Sequence, residues 1–136
     1  MTLKNLGIIA GIPARTADIR IAQYECGTRK PKPGLTRVLA EALDVSSYAL
    51  SVPEIDSIDK LMHLLFLIED LFGLKLTLSK DGILVQADDT HIDSTAFIRA
   101  CNHWCAQSEN MHSGKLSKEE YDTWRYQYGS NQKEDE

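Results

Sequence analysis

The stretch RIAQYECGTRKPKPGLTRVLAEALDV, Arg20 to Val45, decides how the first third of the chain folds. A segment holding Ile21 and Tyr24 ends at Cys26-Gly27, and a glycine there suits the left-handed residue that closes a helix. Pro31 and Pro33 stop a helix from running on and bias the chain to an extended path. Leu35, Val38, Leu39, Ala42 and Leu43 then recur at helical spacing, which predicts a helix over about 34–43 with one buried face. Between the two helices stand Arg29, Lys30 and Lys32, three cations on a loop expected to face solvent. A phosphate contact would use them; solubility alone is the simpler reading of the same charges.

Working outward, Thr2 can cap a short helix through about Ala10, with Leu3, Leu6 and Ala10 on one face and Gly7 beside them. Gly11 ends it. Pro13 suits a first helical turn, which predicts a second helix from about Ala14 to Cys26. On it Ala17, Ile21 and Tyr24 form a core stripe, Thr16, Arg20 and Gln23 a neighbouring polar stripe, and Arg15 lies near the start. After the third helix, SSYAL reads as a further short turn of helix.

The 136 residues, 43% of them apolar, suffice for one compact domain or two small helical ones. Net charge is −5, which taken whole argues against a nucleic-acid binder. Its distribution argues otherwise. Through Pro53 seven Lys or Arg stand against four acids, a net of +3, so the remainder carries −8. A basic module joined to an acidic one is a functional asymmetry, with chance clustering as its alternative. No apolar run approaches the ~20 residues of a membrane span. The start, MTLKNLG, has no basic head, apolar stretch or cleavage site of a secretory signal. Cys26, Cys101 and Cys105 make an odd set without a disulfide framework, as expected of a reducing cytoplasm.

Pro53 marks a boundary. SIDKLMHLLFLIEDLF, Ser57 to Phe72, is apolar on two sides: Ile58, Leu61, Leu65, Ile68 and Phe72 form one seam, Leu64, Leu67 and Leu71 another. A surface helix of a monomer needs one such stripe, so this is a central helix or a subunit interface. In the second case Leu61, Leu64, Leu65, Leu67, Ile68 and Leu71 line a homodimer seam. Gly73 stops the helix. LKLTL and ILVQA flank SKDG, which predicts a β-hairpin around an Asp-Gly turn. Asp93 or Ser94 can cap a helix over about 95–110, with Phe97, Ala100, Cys101, Trp104 and Cys105 on its apolar side. Ser117 and Glu120 stand at capping-box spacing before a helix that carries Tyr121, Trp124 and Tyr128. The expected layout is mainly α: a helix-turn-helix module over 1–53, then an α+β dimerisation or effector region over 54–128. That region comprises a long helix, a hairpin and two C-terminal helices. A disordered polar tail over 129–136 completes it.

The order of helix, glycine turn, helix, basic loop and Leu-rich helix resembles the Xre/lambda-repressor-like family of DNA-binding regulators. The residues carrying the resemblance are TLKNLGIIAGI, with Gly7 where two helices would cross, and RIAQYECGTRKPKPGLTRVLAEALDVSSYAL. It covers about Thr2 to Leu50. The family has a further helix before the one starting at Thr2, so here that helix is missing or another part of the protein completes the core. The segment from Gly11 to Tyr24 is about four residues longer than in the family, roughly one helical turn, so either the helix is extended or the turn is looped.

The resemblance implies a second helix seated in the major groove of double-stranded DNA. Arg15, Thr16, Arg20 and Gln23 would then read bases, Arg toward guanine and Gln toward adenine. Arg29, Lys30 and Lys32 would fix register on phosphates. A surface ion pair with Asp18 or Glu25 is the plainer role for Arg20. The function implied is a cytoplasmic transcriptional regulator, a dimeric repressor of bacterial or mobile-element origin. The alternative is a helix-turn-helix-derived module that docks onto a protein partner, for example a phage-type anti-defence inhibitor.

The chain shows no catalytic motif. Cys101 and Cys105 could supply half of a zinc site, but no second pair stands at ligand spacing, and small apolar residues on a helix face explain them better. No phosphate loop or nucleophile elbow occurs, and Asp88 and Asp89 before His91 read as a polar turn. No enzyme, metal or cofactor is expected.

Overall fold

A computed structural model describes residues 1–88, 90–91 and 93–130. Among these the chain is mainly helical. In order it forms α1 (Leu3–Ile9), α2 (Ala17–Glu25), α3 (Pro33–Leu43), α4 (Ile58–Phe72), β1 (Leu74–Ser79), β2 (Gly82–Ala87), α5 (Ser94–His112) and α6 (Lys118–Gln127). It divides into two compact units, one of 1–52 with 122–136, the other of 53–121. The residues that follow Tyr121 therefore group with the N-terminal helices, although they follow the acidic region in sequence.

In the first unit Thr2 caps α1, its side chain accepting from the Asn5 amide at 3.2 Å. The core is Leu6, Ile21 and Leu39, ringed by Ala10, Ile12, Tyr24, Leu35 and Ala42. Gly7 and Ala17 are where α1 and α2 meet most closely. A Cβ on Gly7 would lie 2.7 Å from the Ala17 Cβ and 2.9 Å from its carbonyl oxygen, so no larger residue fits without spreading the pair. Leu3, Val38 and Leu43, expected on the buried faces, are 36%, 37% and 41% exposed. Leu35, Leu39 and Ala42 already fill the side of α3 that faces α1 and α2, leaving no layer to cover the others.

The end of α6 is seated on the turn after α3. The Ser46 amide donates to the Tyr126 carbonyl at 2.8 Å, and the Gln127 side-chain amide donates to the Asp44 carbonyl and to Asp44 Oδ2 at 3.3 and 3.0 Å. Of the tail expected to be disordered, Gly129 and Ser130 are placed: a Cβ on Gly129 would meet the Tyr48 ring at 3.4 Å, and the Ser130 amide and hydroxyl both donate to the Gln127 carbonyl. Residues 131–136 lie outside the described residues.

In the second unit Ser57 caps α4 by accepting from the Lys60 amide at 3.2 Å, and Gly73 closes it in the left-handed conformation. Gly73 has a second reason to be glycine, because the Asp88–His91 turn folds over it. A Cβ there would lie 3.0 Å from the His91 Cβ and 3.1 Å from that of Asp88, whose amide donates to the Gly73 carbonyl at 2.8 Å. That turn is polar: Asp88 Oδ1 accepts from the Thr90 amide and hydroxyl, and the hydroxyl bond first holds the Asp88 carboxyl below its ordinary range. Asp89 lies outside the described residues.

β1 and β2 pair antiparallel, with Leu74 opposite Ala87, Leu76 opposite Val85 and Leu78 opposite Ile83. Lys80 and Asp81 form the loop and Gly82 opens β2, so the turn sits one residue earlier than an Asp-Gly turn. Ser79 stabilises it, accepting from the Asp81 amide and donating to the Gly82 carbonyl. Phe72 at the end of α4 stacks on Phe97 of α5 with centroids 5.6 Å apart. Farther along α5 the Trp104 indole donates to the Tyr121 hydroxyl at 2.7 Å. Ser117 and Glu120 form the expected capping box at the start of α6. No described helix is long and apolar enough to cross a membrane.

Candidate nucleic-acid interface

The sequence spacing predicts α2 over 14–26, but the helix begins at Ala17. Ala14 to Thr16 form a turn closed by the Thr16 amide donating to the Pro13 carbonyl at 2.9 Å. The extra residues between Gly11 and Tyr24 therefore loop the turn and do not lengthen the helix. The reason is tertiary: Ala17 is fully buried at the Gly7 crossing, and Ile12 is drawn back by its amide donating to the Gly7 carbonyl at 2.9 Å. Arg15 thus stands exposed in the turn. Thr16 is the half-buried N-cap, its hydroxyl donating to the Pro13 carbonyl at 3.3 Å.

On α2 the buried stripe is Ala17, Ile21 and, half-buried, Tyr24. At 100° per residue the opposite face centres on Ile19, flanked by Gln23 and Ala22, with Arg20 on one shoulder and Asp18 on the other. Ile19 is 59% exposed. Sequence reasoning missed it, although a helical wheel drawn from the core stripe alone finds it. Neither Arg20 nor Gln23 has a side-chain partner among the described residues, so the ion pair of Arg20 with Asp18 or Glu25 does not form.

The basic loop folds back on the end of α2. The Arg29 amide donates to the Gln23 carbonyl at 3.1 Å and the Thr28 hydroxyl to the same oxygen at 3.2 Å. Thr28 Oγ1 also lies 3.2 Å from Cys26 Sγ, and that bond lowers the thiol of the exposed Cys26 below its ordinary range. Arg29, Lys30 and Lys32 are exposed and make no ion pair among the described residues. Cations therefore bracket α2, Arg15 before its first turn and Arg29 after its last. Nine residues span about 14 Å, close to the ~12 Å width of a B-DNA major groove.

No family model matches this chain, and no curated protein or solved structure does either. The chemistry of the surface has to carry the reading. Outward polar side chains that nothing else satisfies, beside uncompensated cations, can take hydrogen-bond acceptors and anionic oxygens.

The six residues expected at a dimer seam fall into two groups. Leu65 and Ile68 are half-buried on the side of α4 that also carries Phe72, while Leu67 and Leu71 are each 50% exposed, with Leu61 at 37% and Leu64 half-buried between them. The first group is used within the unit and the second is open. Cys101 is partly buried, which pushes its thiol up, and Cys105 is exposed. Among the described residues no three His, Cys, Asp or Glu side chains gather as a metal site.

Proposed function

We propose that this protein is a sequence-specific DNA-binding regulator of the Xre/lambda-repressor type that acts as a two-fold dimer. One observation carries the reading: α2 presents Arg20 and Gln23 without intramolecular partners and is followed at once by three uncompensated cations on a loop folded against its end. An arginine and a glutamine on one helix shoulder suit guanine and adenine edges, and Ile19 between them suits a thymine methyl. Arg29, Lys30 and Lys32 supply phosphate contacts, and Arg15 and Thr16 reach the groove from the helix start. The open Leu67 and Leu71 positions support pairing of two modules across half-sites about one DNA turn apart.

A second reading draws on the same surface. Ile19 lies at the centre of the outward face with Asp18 beside it, and α1 leaves Ile8 and Ile9 46% and 57% exposed. An apolar, partly acidic surface favours a protein partner over phosphate. Selection from a random DNA pool, followed by mobility shift of the selected site, separates the two. Arg20→Ala and Gln23→Ala should each weaken specific binding by about 1–3 kcal/mol and relax sequence preference. Lys30→Ala should weaken all sequences alike and reduce the salt slope by about 1 per module. Affinity for the selected site that ignores both kinds of substitution, or no salt-dependent binding at all, sinks the DNA reading and leaves the protein-docking one.

A further inference from the structure

The hairpin of the second unit is strongly amphipathic. Leu74, Leu76, Leu78, Ile83, Val85 and Ala87 alternate onto one face by their register, and Lys75, Thr77, Leu84 and Gln86 onto the other. Only the root of the apolar face is covered, where Leu74 is 6% exposed. Beyond it Leu76, Val85, Ile83 and Leu78 are 46%, 61%, 68% and 84% exposed. The open face continues into a groove of about 180 Å³ between α4 and β1, lined by Met62, Leu65, Phe66, Glu69, Leu74 and Leu76. A two-stranded hairpin in water is marginal on its own and needs its apolar face packed.

We propose that this face is the contact with a second copy of the chain, hairpin against hairpin across a two-fold axis, with Phe66 and the groove at its rim. Three observations select that occupant. The open aliphatic surface, together with the exposed part of Phe66, is of the order of the ~800 Å² per partner that a stable interface covers, beyond the largest patch typical of a monomer. The hairpin's apolar face carries no ionisable group: Lys75 points to the other face, and Lys80 and Asp81 sit in the loop. Two copies of an acidic region can therefore meet there without opposing like charges, whereas a charged partner would find nothing to pair with. The residues outside the described ones offer no substitute, because 131–136 read NQKEDE. Flat aliphatic sheet faces also pack on each other at about 10 Å with aligned strands, which is the shape presented here.

The proposal deepens the two-fold reading above and is independent of DNA, so it is tested without DNA. The full chain is followed by sedimentation equilibrium across a concentration series, beside Leu78→Glu and Ile83→Glu on the apolar face and Leu84→Glu on the opposite face. Because Leu78 and Ile83 are largely exposed in the single chain, circular dichroism should stay native in both. The wild type and Leu84→Glu should be dimers, and the apolar-face variants should dissociate at least ~100-fold more readily, since the dimer would bury carboxylates without partners. If either glutamate variant unfolds, Ile83→Ser carries the same expectation with a smaller shift. A wild type that stays monomeric at about 100 µM overturns the proposal. So does a dimer indifferent to Leu78→Glu and Ile83→Glu, which would leave the α4 seam of Leu67 and Leu71 as the dimer contact. Neither result bears on DNA binding by the N-terminal module.

Discussion

In the N-terminal unit each helix of the module takes at least one side chain out of water, Leu6 on α1, Ile21 on α2 and Leu39 on α3, whereas the Leu-rich α4 of the second unit fully buries none. The contrast runs against composition. The first unit is the more polar and has the closed core; the second holds the longest run of leucines and leaves Leu67, Leu71, Leu78 and Ile83 half or more exposed. Apolar content therefore measures how much cover a segment requires, and not how much its own chain supplies. A module with a closed core can present polar side chains to a ligand from a fixed frame, and an open one is fitted for association.

Replacing one large side chain in each unit tests the contrast most severely. Ile21→Ala removes a side chain 2% exposed from the centre of the first core and should cost about 2–5 kcal/mol in urea unfolding. Leu67→Ala removes one already half in solvent and should cost under about 1 kcal/mol at low protein concentration. If the second unit is completed by another copy, that cost grows as concentration rises, because binding to the folded state adds to apparent stability. Equal costs at low concentration would break the comparison.

Gly7→Ala comes next. The new methyl would meet Ala17 at a distance no Cβ tolerates, and α1 must shift against α2 at about 1–3 kcal/mol. Loss of specific DNA affinity beyond that explained by unfolding would show that the α1–α2 crossing sets the pose of Arg20 and Gln23. A thermal melt identical to the wild type would mean that the crossing is looser than the geometry implies.

The smallest effect is expected at the capping box of α6. The Glu120 carboxylate accepts from the Ser117 amide at 2.8 Å, and this bond first, then the Ser117 hydroxyl, holds its carboxyl below the ordinary glutamate range. A lowered folded-state value means that the contribution is present above the unfolded glutamate value and fades as pH falls through the lowered one. Glu120→Gln should therefore melt slightly below the wild type at neutral pH, and the difference should close on acidification. A difference that persists at low pH would assign the loss to packing.

Much of this architecture was legible locally. Thr2, Ser57 and the Ser117–Glu120 pair start helices where their hydrogen bonds are completed within one turn, and Gly73 ends one for the same reason. The hairpin was legible from two alternating runs about a short polar turn, even though the loop proved to be Lys80-Asp81. The candidate site was half legible. Arg20, Gln23 and the basic loop stand out by residue type, while Ile19 is found only once Ala17, Ile21 and Tyr24 define which way is in.

The sequence by itself determined the elements, their caps, the basic and acidic halves and the two apolar seams of α4, because each depends on residues within a turn or a strand pair of one another. Only the tertiary structure decided that α2 begins at Ala17, since that follows from how closely Gly7 lets α1 approach. It alone decided that Val38 and Leu43 stay in solvent, and that Ser46 and Asp44 receive the end of α6 from more than eighty positions away. Hydrogen bonds of caps and turns are satisfied locally, but burial depends on which distant segment arrives to share it.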